Sequence, residues 1–100
     1  MVHHRKSVLI HHIKLIDESG GIEERVVWMV PKTGSCPDGV RYRLAYIRPG
    51  EAKPAVLYDN HRPKGHHRHR RGSEEPYPFR GIDGLLTDFH RDVEECRANA

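Results

Sequence analysis

The chain has little with which to staple itself together or to enter a membrane. Its two cysteines, Cys36 and Cys96, lie 60 positions apart, and no Cys-x-x-Cys pair occurs. Neither a zinc knuckle nor a dithiol redox motif is therefore indicated. Cys96 falls on the apolar stripe of a predicted helix and reads as a small core residue. Cys36 sits in a predicted turn and reads as a free thiol. No apolar run approaches the roughly 20 residues of a membrane span. The stretch from Met1 to Leu9 lacks the long apolar segment of a signal peptide. The expectation is a cytoplasmic protein with no membrane partner. A chain of 100 residues leaves no room for two cores, so a single domain over residues 1–100 is expected.

A general excess of one charge is also missing. The chain has 17 Lys and Arg against 14 Asp and Glu, a formal net charge of +3. The basicity is concentrated instead. Residues 61–71 read His-Arg-Pro-Lys-Gly-His-His-Arg-His-Arg-Arg, with five formal positive charges, four histidines and no acid. The remaining 89 residues hold 12 Lys and Arg against 14 Asp and Glu. Cations beside imidazoles that titrate near neutral pH suit a polyanion such as RNA, as ligand or as substrate.

Patterning supplies the frame. A first strand is expected over 6–17, rich in β-branched residues, and Glu18-Ser19-Gly20-Gly21 reads as a hairpin turn. A second strand over 22–30 divides Ile22, Glu24, Val26, Trp28 and Val30 from Glu23, Arg25, Val27 and Met29. Two prolines and two glycines make 31–39 a loop. A third strand over 40–48 sets Val40, Tyr42, Leu44 and Tyr46 against Arg41 and Arg43. A fourth covers 53–59. Residues 60–79 are expected to form a basic, His-rich loop. Ile82, Leu85, Leu86, Phe89, Val93 and Cys96 then recur at helical spacing and predict a helix over 82–98. The expected fold is α+β, a four-stranded antiparallel meander with one C-terminal helix packed on one face. Trp28 and Val26 are expected in the core beside Tyr42 and Leu44. Arg25, Arg41 and Arg43 are expected together on the opposite face. An uncovered first or fourth strand edge is available to pair in a homodimer.

Several groups can carry chemistry. His67 and His69 share a face if their segment is extended, and Arg68 and Arg70 then point the other way. Metal-independent RNA cleavage needs one group to take the 2′-hydroxyl proton, another to protonate the leaving 5′-oxygen, and a cation to steady the charge on phosphorus. His67 and His69 fit the acid and base roles, with His66 as a substitute for either. Asp59 ends the fourth strand and can orient an imidazole. Lys64, Arg68, Arg70, Arg71, Arg62, Arg41 and Arg43 are candidate phosphate contacts. Glu74 and Glu75 can neutralise part of the basic loop or act as a general base. Tyr77 and Phe79 are expected to pin the loop onto the sheet. No cofactor is required by this chemistry.

Two other readings stay open. A solvated His/Arg loop can bind nucleic acid without cutting it. A metal can be held by His67 and His69 with His61 or Asp59 as the third ligand, although five cationic neighbours repel a divalent ion. His3-His4 and His11-His12 are adjacent pairs whose members face opposite sides of a strand. His11 and His12 read as one half-buried and one exposed residue.

The order of these segments resembles a known family. Val26-Val27-Trp28-Met29-Val30 is followed by Tyr42-Arg43-Leu44-Ala45-Tyr46 and Tyr58-Asp59-Asn60-His61. Lys64-Gly65-His66-His67-Arg68-His69, Glu75-Pro76-Tyr77-Pro78-Phe79 and Leu86-Thr87-Asp88-Phe89 come after. This is similar to the TumE-type family of small prokaryotic proteins, over about residues 7–97. The resemblance implies the toxin of a type II toxin–antitoxin pair, held silent by an antitoxin encoded nearby. It does not supply an active site. Its combination with the basic segment gives the working expectation of a metal-independent endoribonuclease.

Overall fold

The structure, a computed structural model, describes residues 7–99. The His3-His4 pair and Lys6, the expected start of the first strand, lie outside them. Six strands form one antiparallel meander, β1 (Val8–Ile16), β2 (Ile22–Met29), β3 (Val40–Ile47), β4 (Val56–Asp59), β5 (His67–Arg70) and β6 (Ser73–Pro76), in the order β1-β2-β3-β4-β5-β6. One helix, α1 (Ile82–Ala98), follows. Among the described residues no helix is long and apolar enough to cross a membrane.

The α+β class, the meander and the covering helix are as expected, but the sheet has six strands rather than four. The two added strands come from the segment read as a loop. Their sequences, His-Arg-His-Arg and Ser-Glu-Glu-Pro, have neither apolar alternation nor high strand propensity. Pairing makes them strands instead. Asp59 pairs with His67 and Leu57 with His69, and Arg70 then pairs with Ser73 across a two-residue turn. Arg71 (φ 53) and Gly72 (φ 77) both occupy the left-handed region, as the central residues of a type I′ hairpin do. β4 is thus an interior strand, and the free edges are β1 and β6.

The register assigns the faces. Val27 pairs with Tyr42, and Arg25 with Leu44. Tyr46 pairs with Val56, and Leu44 with Tyr58. These residues lie on the helix side, where Leu85, Phe89 and Val93 of α1 are fully buried against them. The predicted helical stripe is the observed one, with Ile82, Leu86 and Cys96 at its margins. Tyr77 is buried in the same core.

One face assignment needs correction. Trp28 pairs with Arg41 and Val26 with Arg43, so Trp28 and Val26 belong to the face away from the helix. Trp28 is 38 % exposed there. Arg25 lies on the helix side, where Nε donates to Glu23 Oε2 at 2.6 Å and the guanidinium sits over Phe89. The run Val26-Val27-Trp28-Met29 is apolar on both alternations, so alternation alone cannot choose which set is buried.

Polar groups stitch helix to sheet. Asp92, on α1, is buried; it accepts from the Tyr58 hydroxyl and from Arg70 at 3.1 Å. Asp88 accepts from the buried Tyr77 hydroxyl at 2.6 Å. Burial and the acceptor carboxylates raise the ionisation of Tyr58 and Tyr77 well above the ordinary phenol value, so both remain donors. At the β1–β2 turn, Asp17 Oδ1 accepts from Ser19 Oγ at 2.8 Å and from the Gly21 amide at 2.7 Å. Those bonds hold the Asp17 carboxyl below its usual range. On the helix side of the basic hairpin, Glu75 is lowered by Arg70.

Two outcomes follow. Asp92→Ala leaves the buried Tyr58 hydroxyl without its acceptor and Arg70 with Glu75 alone, and an unsatisfied buried donor costs about 2 kcal/mol; urea unfolding should show that loss. Acidification acts on Asp17 and Glu75. Their folded values lie below the unfolded ones, so their contribution is complete above the ordinary carboxylate range. It disappears as pH falls through the folded values. Unfolding midpoints measured from pH 7 down to pH 3 should therefore decline mainly below about pH 4.5.

Candidate functional site

The strand alternation that sends Arg68 and Arg70 to the helix side puts His67 and His69 on the opposite face. On the face away from the helix, β-pairing aligns Val26, Arg43, Asp59 and His67 in one row across β2, β3, β4 and β5. The next row contains Ala45, Leu57, His69 and Glu74, the last contributed by β6. The site is therefore carried by strands, with only Lys64 reaching it from the β4–β5 connection.

His67 is 8 % exposed. Its Nδ1 lies 2.8 Å from the Gly65 carbonyl and its Nε2 lies 3.1 Å from Asp59 Oδ1. Glu74 Oε1 is 4.0 Å from the same Nε2. A carbonyl and a carboxylate can only accept, so a neutral ring satisfies one of its two neighbours and an imidazolium satisfies both. His69 is the outer ring, with Nε2 3.3 Å from Glu74 Oε2. The two imidazole centroids are 5.9 Å apart. Lys64 Nζ donates to Glu74 Oε1 at 2.6 Å, and that bond is the chief reason the Glu74 carboxyl is held below its usual range. Lys64, His66, His67, Glu74, Glu75 and Pro76 line a shallow depression.

The remaining expected site residues separate into groups. Arg43 is exposed and Arg41 half-buried on the open face. Arg62 is exposed in the connection before β5. His61 is exposed, with Nδ1 4.0 Å from Asp59 Oδ1. Arg68 and Arg70 lie on the helix side: Arg68 Nη1 donates to the Tyr58 hydroxyl at 3.1 Å, and Arg70 Nε donates to Glu75 at 2.9 Å. Arg71 leaves the hairpin turn for Glu95 of α1.

His66 lines the same depression as His67 but is bonded elsewhere. It stacks on Phe79 with centroids 4.6 Å apart, and it accepts from Tyr42 through Nδ1 at 2.8 Å. Its Nε2 donates to Asp38 at 2.6 Å. Burial drives the Tyr42 ionisation far up, which keeps that hydroxyl a donor. This histidine fastens the start of β5 to β3 and to the segment before α1. Phe79 and Tyr77 pin the segment as expected. His11 and His12 divide into a half-buried and an exposed ring.

In the sequence, Glu74 reads as a counter-ion or base but not as a neighbour of both rings. Its place depends on the Arg71-Gly72 turn, which lacks the Asn-Gly or Asp-Gly signature of a two-residue hairpin. Given that turn, the pairing of His69 with Glu74 follows.

A protein-family model described as Toxin TumE matches residues 4–97. No curated protein and no solved structure gives a significant match.

Proposed function

The chain belongs to the TumE toxin family, and from that premise we propose that it acts on RNA, cleaving it with His67 and His69. The observation that carries this reading is the placement of both imidazoles on the uncovered face, in adjacent rows with Asp59, Glu74 and Arg43. The two rings divide the acid and base work: one takes the 2′-hydroxyl proton and the other protonates the departing 5′-oxygen. Asp59 holds His67, and Glu74 holds His69. Arg43, Arg41 and Lys64 supply cations on the same side, with Arg62 beside them, to steady charge on the phosphate. His66 is engaged by Tyr42, Asp38 and Phe79 instead and takes neither role. Arg68 and Arg70 maintain the hairpin.

Toxins of this kind are paired with an antitoxin. In this reading an acidic antitoxin segment lies across the basic face and blocks RNA, because opposite potentials guide pairing. The exposed apolar edge of β1 is the place for a homodimer contact.

The test is an RNA-cleavage time course with purified untagged protein, with and without EDTA. Cleavage should persist in EDTA. His67→Ala/His69→Ala should lower its rate by roughly 10²-fold or more while circular dichroism still reports the fold. Unchanged cleavage in the folded double variant defeats the assignment. Retention of RNA with no product leaves a binding module instead. Arg43→Ala should weaken RNA binding for all sequences alike and reduce the slope of log affinity against log salt by about 1.

A further inference from the structure

We propose that His67, His69 and Glu74 form a binding site for a transition metal ion of the zinc class. Each residue offers one ligand atom, and the three atoms lie within 4.8 Å of one another. Zinc bonds to imidazole nitrogen and carboxylate oxygen are about 2.0–2.2 Å long. Two such bonds span at most about 4.4 Å across an ion, so the three side chains must close toward one another to bind it. The backbone already provides the arrangement. His67 and His69 are two residues apart on β5, and Glu74 is the cross-strand partner of His69.

The hydrogen bonding around His67 points the same way. A metal-binding histidine ordinarily donates its other ring N–H to a carbonyl or carboxylate, which fixes the tautomer and aims the lone pair at the ion. His67 Nδ1 has that partner, the Gly65 carbonyl at 2.8 Å. The ring is buried, so this orientation is imposed on it. With Nδ1 as donor, a neutral Nε2 presents a lone pair to Asp59 Oδ1 at 3.1 Å and Glu74 Oε1 at 4.0 Å. Acceptors that face one another at such distances need a positive species among them. A proton on Nε2 is one solution, and a metal ion is the other. Asp59 Oδ1 stands beside the same nitrogen but outside the cluster of three ligand atoms. Two imidazoles with carboxylates suit zinc better than calcium or magnesium, which favour all-oxygen sets.

Charge repulsion was the objection to a metal in this basic segment. The fold removes much of it. Arg68 and Arg70 face the helix side and are engaged by Glu75 and Asp92, and Arg71 is engaged by Glu95. Lys64 is the cation that remains in direct contact, through Glu74. It competes with the metal for that carboxylate. His61, the alternative third ligand from sequence, is exposed and approaches Asp59 only at 4.0 Å.

Metal binding itself does not depend on the ribonuclease reading. One consequence rests on that reading: an ion bound to both imidazoles occupies the lone pairs that would move protons, so zinc inhibits cleavage.

The experiment is a titration of untagged, chelator-treated protein with zinc by calorimetry, and with cobalt(II) by visible absorption. Wild type should bind zinc with a dissociation constant in the micromolar range or tighter. The cobalt complex should give the intense visible bands of a four-coordinate site. His69→Ala and Glu74→Gln, both at accessible strand positions, should weaken binding by roughly tenfold or more. Lys64→Met should tighten it by about two- to five-fold, because an exposed competing ion pair is lost. His12→Ala, on β1, should bind as wild type does. Affinity unchanged in both His69→Ala and Glu74→Gln, or no saturable binding by wild type up to about 100 μM metal, overturns the site. Cleavage is assayed separately in the same samples. Zinc-bound protein that still cuts RNA defeats the acid–base reading and leaves the metal site standing.

Discussion

The carboxylate of Asp92 is the contact on which the orientation of the basic hairpin depends. It projects from α1 into the buried layer, receives the Tyr58 hydroxyl and pairs with Arg70 at 3.1 Å. Glu75 pairs with both Arg68 and Arg70 from the neighbouring strand. Together these carboxylates fix the side to which the arginines of β5 point. Side chains alternate strictly along a strand, so fixing the arginines inward fixes His67 and His69 outward. A shift of one residue would carry the arginines to the face away from the helix and the two imidazoles to the helix side. The acid on the helix and the histidines on the open face are two consequences of one parity.

That parity also explains how so basic a segment folds at all. Five formal charges in eleven residues would repel if they shared one surface. The hairpin instead divides them. Arg68 and Arg70 are paired with Glu75 and Asp92 on one side, while Lys64 is paired with Glu74 on the other. The aromatic neighbours contribute as well, since Arg68 lies over the Tyr77 ring at 5.4 Å. An arginine in such a setting loses both ion pairing and packing when it is truncated. The charges that make this segment basic therefore belong to two populations. One builds the hairpin, and the other, with Arg41 and Arg43, faces solvent across the sheet.

The frame was legible where apolar residues alternate with polar ones. β3 separates Val40, Tyr42, Leu44 and Tyr46 from its two arginines without ambiguity, and α1 displays its stripe at helical spacing. β2 was ambiguous because Val26 and Val27 offer equal apolar bodies to either side, and only the pairing of Val27 with Tyr42 decides between them. β5 and β6 left no trace in hydropathy. Their stability comes from cross-strand ion pairs and a turn at Arg71-Gly72, features that depend on knowing which residues are opposite. For the same reason the two histidines could be assigned to one face from sequence, whereas their proximity to Glu74 could not. His66 looked equivalent to its neighbours as a residue type. Its stacking on Phe79 gives it a different environment, and that contact spans 13 positions of chain.

The two free edges of the sheet impose a geometric condition on any protein partner. β6 is short, charged and ends at Pro76, features that discourage strand addition. β1 is nine residues long, and Val8, Leu9, Ile10, Leu15 and Ile16 are exposed along it; only the irregularity between Leu9 and His11 interrupts its pairing. The accessible pairing edge is thus β1, yet the histidines stand on β5. Four strand spacings separate them, about 19 Å. A partner that adds a strand to β1 alone leaves the face that carries His67 and His69 uncovered. One that also covers the histidines must cross the uncovered face, where it meets Trp28, Arg41 and Arg43 on the way. Its contacting segment then needs an apolar anchor for the indole and acidic groups for the arginines. Covering the open face and pairing with the edge are consequently separable tasks, and a single partner performs both only by spanning the width of the sheet.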